Sequence, residues 1–88
     1  MKTAFKASFS KDLEKVRAQH LKNAVREIIE QIERAESLQT LPNLKKLQGS
    51  NNYYRVRVGD YRVGITIEND SVTFVRFLHR KDIYRYFP

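Results

Sequence analysis

The chain has 88 residues, 41% of them hydrophobic, with five Phe, five Tyr and no Cys; this leaves room for one modest core and excludes a disordered chain, disulfides and thiolate metal sites. Its net charge of +7 is uneven, with eight Lys/Arg against six Asp/Glu in residues 1–44 and nine against four in residues 45–88, which favours a polyanionic partner, nucleic acid above all, over a merely solubilising surface. No stretch approaches the ~20 apolar residues of a membrane span, and the segment from Met1 to Lys6 lacks the apolar run of a secretory signal, so a soluble cytoplasmic protein with no membrane partner is expected.

Phe5, Ala7 and Phe9 share one face of an extended segment, so residues 2–9 read as a short first strand. Ser10 is placed to cap a helix, with Asp12 in its first turn. Leu13 and Val16 then begin a helical spacing. Leu21, Ala24, Val25, Ile28, Ile29, Ile32 and Ala35 follow i, i+3, i+4, i+7, which predicts one amphipathic helix over 21–36. A break near Ala18–His20 folds the two helical segments into an antiparallel pair, although no Gly or Pro enforces it. His20, alone at that boundary, is given no function. Ser37 to Asn52 is punctuated by Pro42, Gly49, two consecutive Asn and the dipeptide Lys45-Lys46. From there the pattern is β: Tyr53–Val58 and Tyr61–Ile67 alternate around a Gly59-Asp60 turn of type II′, and Val72–Leu78 follows a second turn at Asn69-Asp70. The order β-α-α-β-β-β predicts an α+β domain over residues 1–88, an antiparallel sheet with the N-terminal helical pair packed on one face.

A two-residue loop at Gly59-Asp60 pairs Val58 with Tyr61, Arg57 with Arg62, Val56 with Val63 and Arg55 with Gly64. Tyr54, Val56, Val58, Val63, Ile65 and Ile67 then share the core face. Arg55, Arg57 and Arg62 share the other, beside small Gly64 and Thr66. Like charges directly opposite across strands are destabilising by up to ~1 kcal/mol, so three arginines facing no carboxylate are not there for stability. Guanidinium forks bind phosphate bidentately and keep their charge. A solvated face is the plainer alternative, but such a face ordinarily mixes in Glu, Thr or Ser. A three-residue loop around Asn69-Asp70-Ser71 brings Arg76 onto the arginine face and Val75 and Phe77 into the core, whereas a two-residue loop buries the arginine. The tail adds His79, Arg80, Lys81, Tyr84, Arg85 and Tyr86. Aromatic rings interleaved with cations suit splayed RNA bases, although packing of the tail onto the sheet is the better account of one of the two tyrosines.

The runs Lys45-Lys46-Leu47-Gln48-Gly49, Tyr54 to Val63 (YRVRVGDYRV) and His79 to Arg85 (HRKDIYR) resemble the RelE/ParE toxin superfamily over essentially the whole chain. They are fairly specific for the superfamily and weak at separating its branches. The resemblance implies the RelE-like microbial RNase fold. In the RelE branch it also implies cleavage of messenger RNA in the ribosomal decoding site, without metal or cofactor, by attack of the RNA's own 2′-hydroxyl on the adjacent phosphate. Carried over by position, Arg55 and Arg57 match basic residues of the family's second strand. Arg62 matches its phosphate-binding arginine, Arg80 its C-terminal catalytic arginine and Tyr84 its C-terminal tyrosine. The chain departs from the pattern in carrying arginine where active members often have lysine, and arginine cannot serve as a base. His79, with an unperturbed pKa of about 6.5, is the expected acid/base, as in related toxins. Lys45, Lys46, Arg76, Lys81, Arg85 and Tyr86 are expected to bind RNA or ribosome.

Two other readings stand beside this one. A ParE-type toxin inhibits DNA gyrase by protein contact alone, but those relatives generally lack the clustered cations and the C-terminal tyrosine. A non-catalytic RNA- or ribosome-binding module would keep the arginines for electrostatic binding and cut nothing. The resemblance also implies a small acidic antitoxin as protein partner, on the helical pair, the sheet or both, able to displace the C-terminal segment.

Overall fold

The computed structural model describes residues 1–38, 41–49 and 52–88. The elements run β1 (Lys2–Phe5), α1 (Ala7–Lys15), α2 (Gln19–Arg34), β2 (Leu44–Lys46), β3 (Tyr53–Val58), β4 (Tyr61–Glu68), β5 (Ser71–His79) and α3 (Ile83–Tyr86). One five-stranded sheet has the order β1-β5-β4-β3-β2. The expected α+β order and helical pair are present, with three additions. The sheet is mixed rather than wholly antiparallel, because β1 lies parallel to β5, Lys2 opposite Ser71 through Phe5 opposite Phe74. A three-residue strand, β2, pairs with β3 at the edge, and a single turn of helix, α3, ends the chain. Of the punctuated stretch from Ser37 to Asn52, positions 39, 40, 50 and 51 lie outside the described residues.

The first strand stops at Phe5, short of the expected Phe9. Lys6 donates its amide to Phe74 O and then becomes the N-cap of α1, its carbonyl accepting from Phe9 and Ser10. Phe5 and Phe9 therefore sit one helical turn apart, both against Phe74, with ring centroids 5.1 and 5.3 Å from it. Ser10 caps nothing, because the helix has begun at Ala7. Asp12 lies in its second turn and only 6% exposed, on the inward stripe with Phe9 and Val16.

That carboxylate meets a need of the sheet edge. β1 covers only the first half of β5, and the unpaired backbone beyond Phe74 needs partners. α1 supplies them. Ser8 Oγ donates to Val75 O at 2.6 Å, and Asp12 Oδ2 accepts from the Phe77 amide at 3.0 Å. Asp12 also holds Arg76 through two hydrogen bonds, Nε to Oδ2 at 2.7 Å and Nη2 to Oδ1 at 3.0 Å.

The β4–β5 turn has two residues, Glu68 pairing with Ser71, rather than the expected three. A bulge restores the side-chain pattern: Ile65 pairs with Phe74 while Gly64 pairs with Arg76, leaving Val75 as the extra residue. Phe74 and Phe77 thus both enter the core, Arg76 falls on the opposite face, and Val75 is half-buried at the bulge instead of in the core. The β3–β4 register is as expected from the Gly59-Asp60 turn, with Gly59 at φ 57° supplying the left-handed first position.

On the helical face, Val25 and Ile32 of α2 pack with Phe9, Val56, Val63, Ile65, Val72, Phe74 and Phe77. The Met1 amine donates to the carbonyls of Ile32, Glu33 and Ala35 at 2.9–3.2 Å, which satisfies orphan acceptors at the negative end of α2. Ile83 and Phe87 are also buried but stand outside this cluster. They pack the C-terminal segment onto the other face of the sheet. There the Phe87 ring lies over Gly64, where a Cβ would stand only 2.8 Å from ring carbons, and meets Tyr53 edge-on at 5.5 Å. Gly64 is therefore the seat of the tail. Gly64→Ala is expected to lift Phe87 and cost about 1–3 kcal/mol, the usual range for overpacking, measured by urea denaturation.

Candidate active site

The face opposite the helices is divided between cations and the tail. Arg55, Arg57 and Arg62 occupy alternating positions of the paired β3 and β4, with Arg57 directly across from Arg62. Lys45 of β2 pairs with Arg55 and extends the basic strip to the sheet edge. Arg80 joins from the end of β5, its amide donating to Asp60 O at 2.7 Å. Among the described residues, Asp60 is the one carboxylate within ion-pair distance of these arginines, at 4.0 Å from Arg80 Nε and well exposed.

Arg62 is folded back on the turn, Nη1 donating to the carbonyls of Gly59 and Tyr61 at 2.9 Å each. Its pKa is lowered from the ordinary guanidinium range, first by burial, then by the like charges of Arg55 and Arg57 and, more weakly, Arg80; Tyr84 acts in the opposite direction. The guanidinium stays protonated at neutral pH, with three like charges acting on it from Arg55, Arg57 and Arg80. Tyr84 is the aromatic neighbour of that cluster.

Beside it, a cleft of about 400 Å³ is lined by Lys45, Lys46, Leu47, Gln48, Arg55, Tyr84, Phe87 and Pro88. Arg55 Nε is buried there without a hydrogen-bond partner among the described residues. A buried donor left unpaired costs roughly 1–3 kcal/mol, so an acceptor entering this cleft gains more than a surface contact would provide. The arrangement can hold at least one phosphate and set an aromatic ring beside it. Among the described residues no group of three or more His, Cys, Asp or Glu could hold a metal ion.

The remaining expected residues fall elsewhere. His79 pairs with Tyr61, and its ring packs edge-on against that side chain at 5.6 Å; Tyr61 in turn stacks on Phe77 of the core. His79 therefore lies on the helical side of the sheet. Its Nδ1 accepts the Lys81 amide at 3.1 Å. The structure does not bring it to the arginines. Arg76 stands on the arginine side by register, but its guanidinium is bound to Asp12 and lies 5.6 Å from the Tyr86 ring centroid. Lys81, Arg85 and Tyr86 are exposed around α3. Asp12 was missed because a helix-start role accounted for it; its position between Phe9 and Val16 on an apolar stripe was the available signal. β2 was missed because three residues of an edge strand carry almost no alternation.

No described helix is long and apolar enough to cross a membrane. Inorganic phosphate at about five times its dissociation constant is expected to stabilise the folded protein by about 1 kcal/mol. Thermal melting against chloride of equal ionic strength checks this, and the gain is expected to vanish in an Arg55→Gln/Arg62→Gln double variant.

Comparison with known proteins places this surface in context. The profile of the family "ParE toxin of type II toxin-antitoxin system" matches residues 4–84. A curated relative, Toxin RelE3 of Methanocaldococcus jannaschii, is 46% identical over 89 residues, covering the whole of both chains. The crystal structure of a RelB-RelE antitoxin-toxin complex from Methanococcus jannaschii contains a chain 44% identical, with a TM-score of 0.83 over 97% of this chain and 99% of that one. A chain of the RelE-RelB complex from Pyrococcus horikoshii shares the fold at 19% identity, with a TM-score of 0.74 over 93% and 97%. The chain belongs to the RelE/ParE family, the toxins of type II toxin-antitoxin systems.

Proposed function

We propose that this toxin is a ribosome-dependent endoribonuclease of the RelE kind, cutting messenger RNA in the decoding site by attack of a 2′-hydroxyl on the adjacent phosphate. The observation that carries the reading is the arginine cluster. Among the described residues, Arg55, Arg57, Arg62 and Arg80 converge with one exposed carboxylate near them, and burial, followed by the neighbouring arginine charges, lowers the pKa of Arg62. Folding alone gives no reason to assemble these charges; a phosphorane gaining negative charge in the transition state does. A gyrase inhibitor working by protein contact would not need them.

In this reading the scissile phosphate sits over Arg62 and Arg57. Arg80 neutralises the oxygen that leaves, Tyr84 stacks on the substrate nucleotide or helps to activate it, and Lys45, Lys46 and Arg55 hold the chain as it crosses the β2 edge. Lys81 and Arg85 meet RNA or ribosome from the outside of α3, while Tyr86, whose ring lies against Arg76, is given no contact with RNA. Arginines cannot accept the hydroxyl proton, so the protein contributes positioning and charge, and the base is Tyr84 or a group of the ribosome–substrate complex. His79, on the far side of the sheet, is assigned no proton transfer. The protein partner is an acidic antitoxin, as the RelB complexes of the relatives suggest; the formal charge of +7 suits such a partner.

Induced expression in a bacterial host, with primer-extension mapping of a translated message, tests the reading. Wild type is expected to leave cuts inside translated codons. Arg62→Ala and Arg80→Ala are each expected to reduce them about a hundredfold or more, the usual loss for one transition-state donor, while His79→Gln keeps cleavage within about threefold. Growth arrest with intact messages would move the assignment to gyrase, and neither arrest nor cuts would leave a binding module.

A further inference from the structure

Arg76 carries the same charge as the cluster arginines but is held differently. Its guanidinium is fixed in plane by the two hydrogen bonds to Asp12, and that carboxylate is itself fixed by the Phe77 amide. Asp12 is 6% exposed, so neither partner is free to swing. A guanidinium held in this way offers a flat cationic face, and the Tyr86 ring lies against it, 5.6 Å from centroid to Cζ. Such contacts contribute more as they lose water.

The element this contact steadies is short. A four-residue helix has no stability of its own, and α3 depends on what it touches. Its anchors are Ile83 buried, Tyr86 on Arg76, and Phe87 in the Gly64 seat. They fall at i, i+3 and i+4, one face of the turn, and so fix its rotation. Tyr84, 60% exposed, lies off that face, toward the arginines. Without the middle anchor, α3 can pivot about Ile83 and Phe87 and carry Tyr84 away from Arg62.

We propose that Asp12 and Arg76 are positioning residues, a clasp from α1 through β5 that holds Tyr86 and so places Tyr84 at the arginine cluster. The inference rests on the endoribonuclease reading for its consequence in catalysis, but not for the hold on the tail. It separates Arg76 from the residues that meet RNA: its charge is already used.

Arg76→Lys is the informative variant, since it keeps the charge and loses the plane and the fork. The full-length toxin is assayed on ribosomes programmed with a defined message, alongside Asp12→Asn and Tyr86→Leu. Each variant is expected to lower the cleavage rate at saturating ribosomes about tenfold or more and to leave half-saturation within about twofold. Hydrogen exchange is followed at the Arg85 and Phe87 amides, which bond to Asp82 O and Ile83 O. They are expected to exchange about tenfold faster in all three variants, with α2 unchanged. A raised half-saturation with an intact rate would overturn the proposal and make Arg76 an RNA-binding cation. Unchanged exchange at those amides would overturn it as well. If wild type cuts nothing, the endoribonuclease reading falls while exchange still decides whether the clasp holds the tail. If Asp12→Asn does not fold, Tyr86→Leu decides, since it alters an exposed ring and no core contact.

Discussion

Pairing of β3 with β4 around Gly59-Asp60 sets Arg57 opposite Arg62 and Val56 opposite Val63 in the same stroke. Side chains alternate with a period of two, so a slip of one residue would send three arginines into the core and the valines to water. The left-handed Gly59 holds the register locally, and Val56, Val63 and Ile65, all essentially buried, hold it from the helical side. The cost of placing like charges together is thereby borne by the hydrophobic face of the same two strands. Removal of the arginines is expected to leave the fold intact, whereas loss of the register would remove the site and the fold together.

The hairpin was legible in the sequence because both signals act over a few residues: a Gly at the first turn position and unbroken alternation on either side. The amphipathic stripe of α2 was legible for the same reason, and its ends fell within two residues of the expected 21–36. What was not legible depends on contacts between distant segments. The parallel pairing of β1 with β5 joins residues some seventy apart, and nothing local in Lys2–Phe5 encodes its direction. The bulge at Val75 is set by α1, whose Ser8 and Asp12 take up the backbone groups it exposes. Alternation counted along β5 alone could place Arg76 only by assuming a longer loop. The arginine face of the candidate site was readable from spacing, while the placing of His79 on the helical side required the Tyr61 partnership to be seen.

The C-terminal segment belongs to both halves of the molecule. Phe87 covers Gly64 and closes one wall of the cleft that Arg55 also lines. The same short turn carries Tyr84 to the arginines. Burial of Ile83 and Phe87 thus stabilises the fold, and Phe87 also shapes the cleft. Among the described residues Asp60, exposed and 4.0 Å from Arg80 Nε, is the one carboxylate within ion-pair distance of the cluster, so an anion entering it would meet donors already in place.

The claim that the arginine face cleaves RNA through the substrate's own 2′-hydroxyl is tested most directly by the chemistry of the new ends. Purified toxin would be mixed with ribosomes carrying a defined message, with just enough magnesium to keep the ribosome assembled, and the fragments analysed by mass spectrometry. The expected upstream fragment ends in a 2′,3′-cyclic phosphate or its hydrolysis product, the downstream fragment begins with a 5′-hydroxyl, and neither forms with Arg62→Ala. Fragments ending in a 3′-hydroxyl with a 5′-phosphate downstream, or an uncut message at full ribosome occupancy, would contradict it.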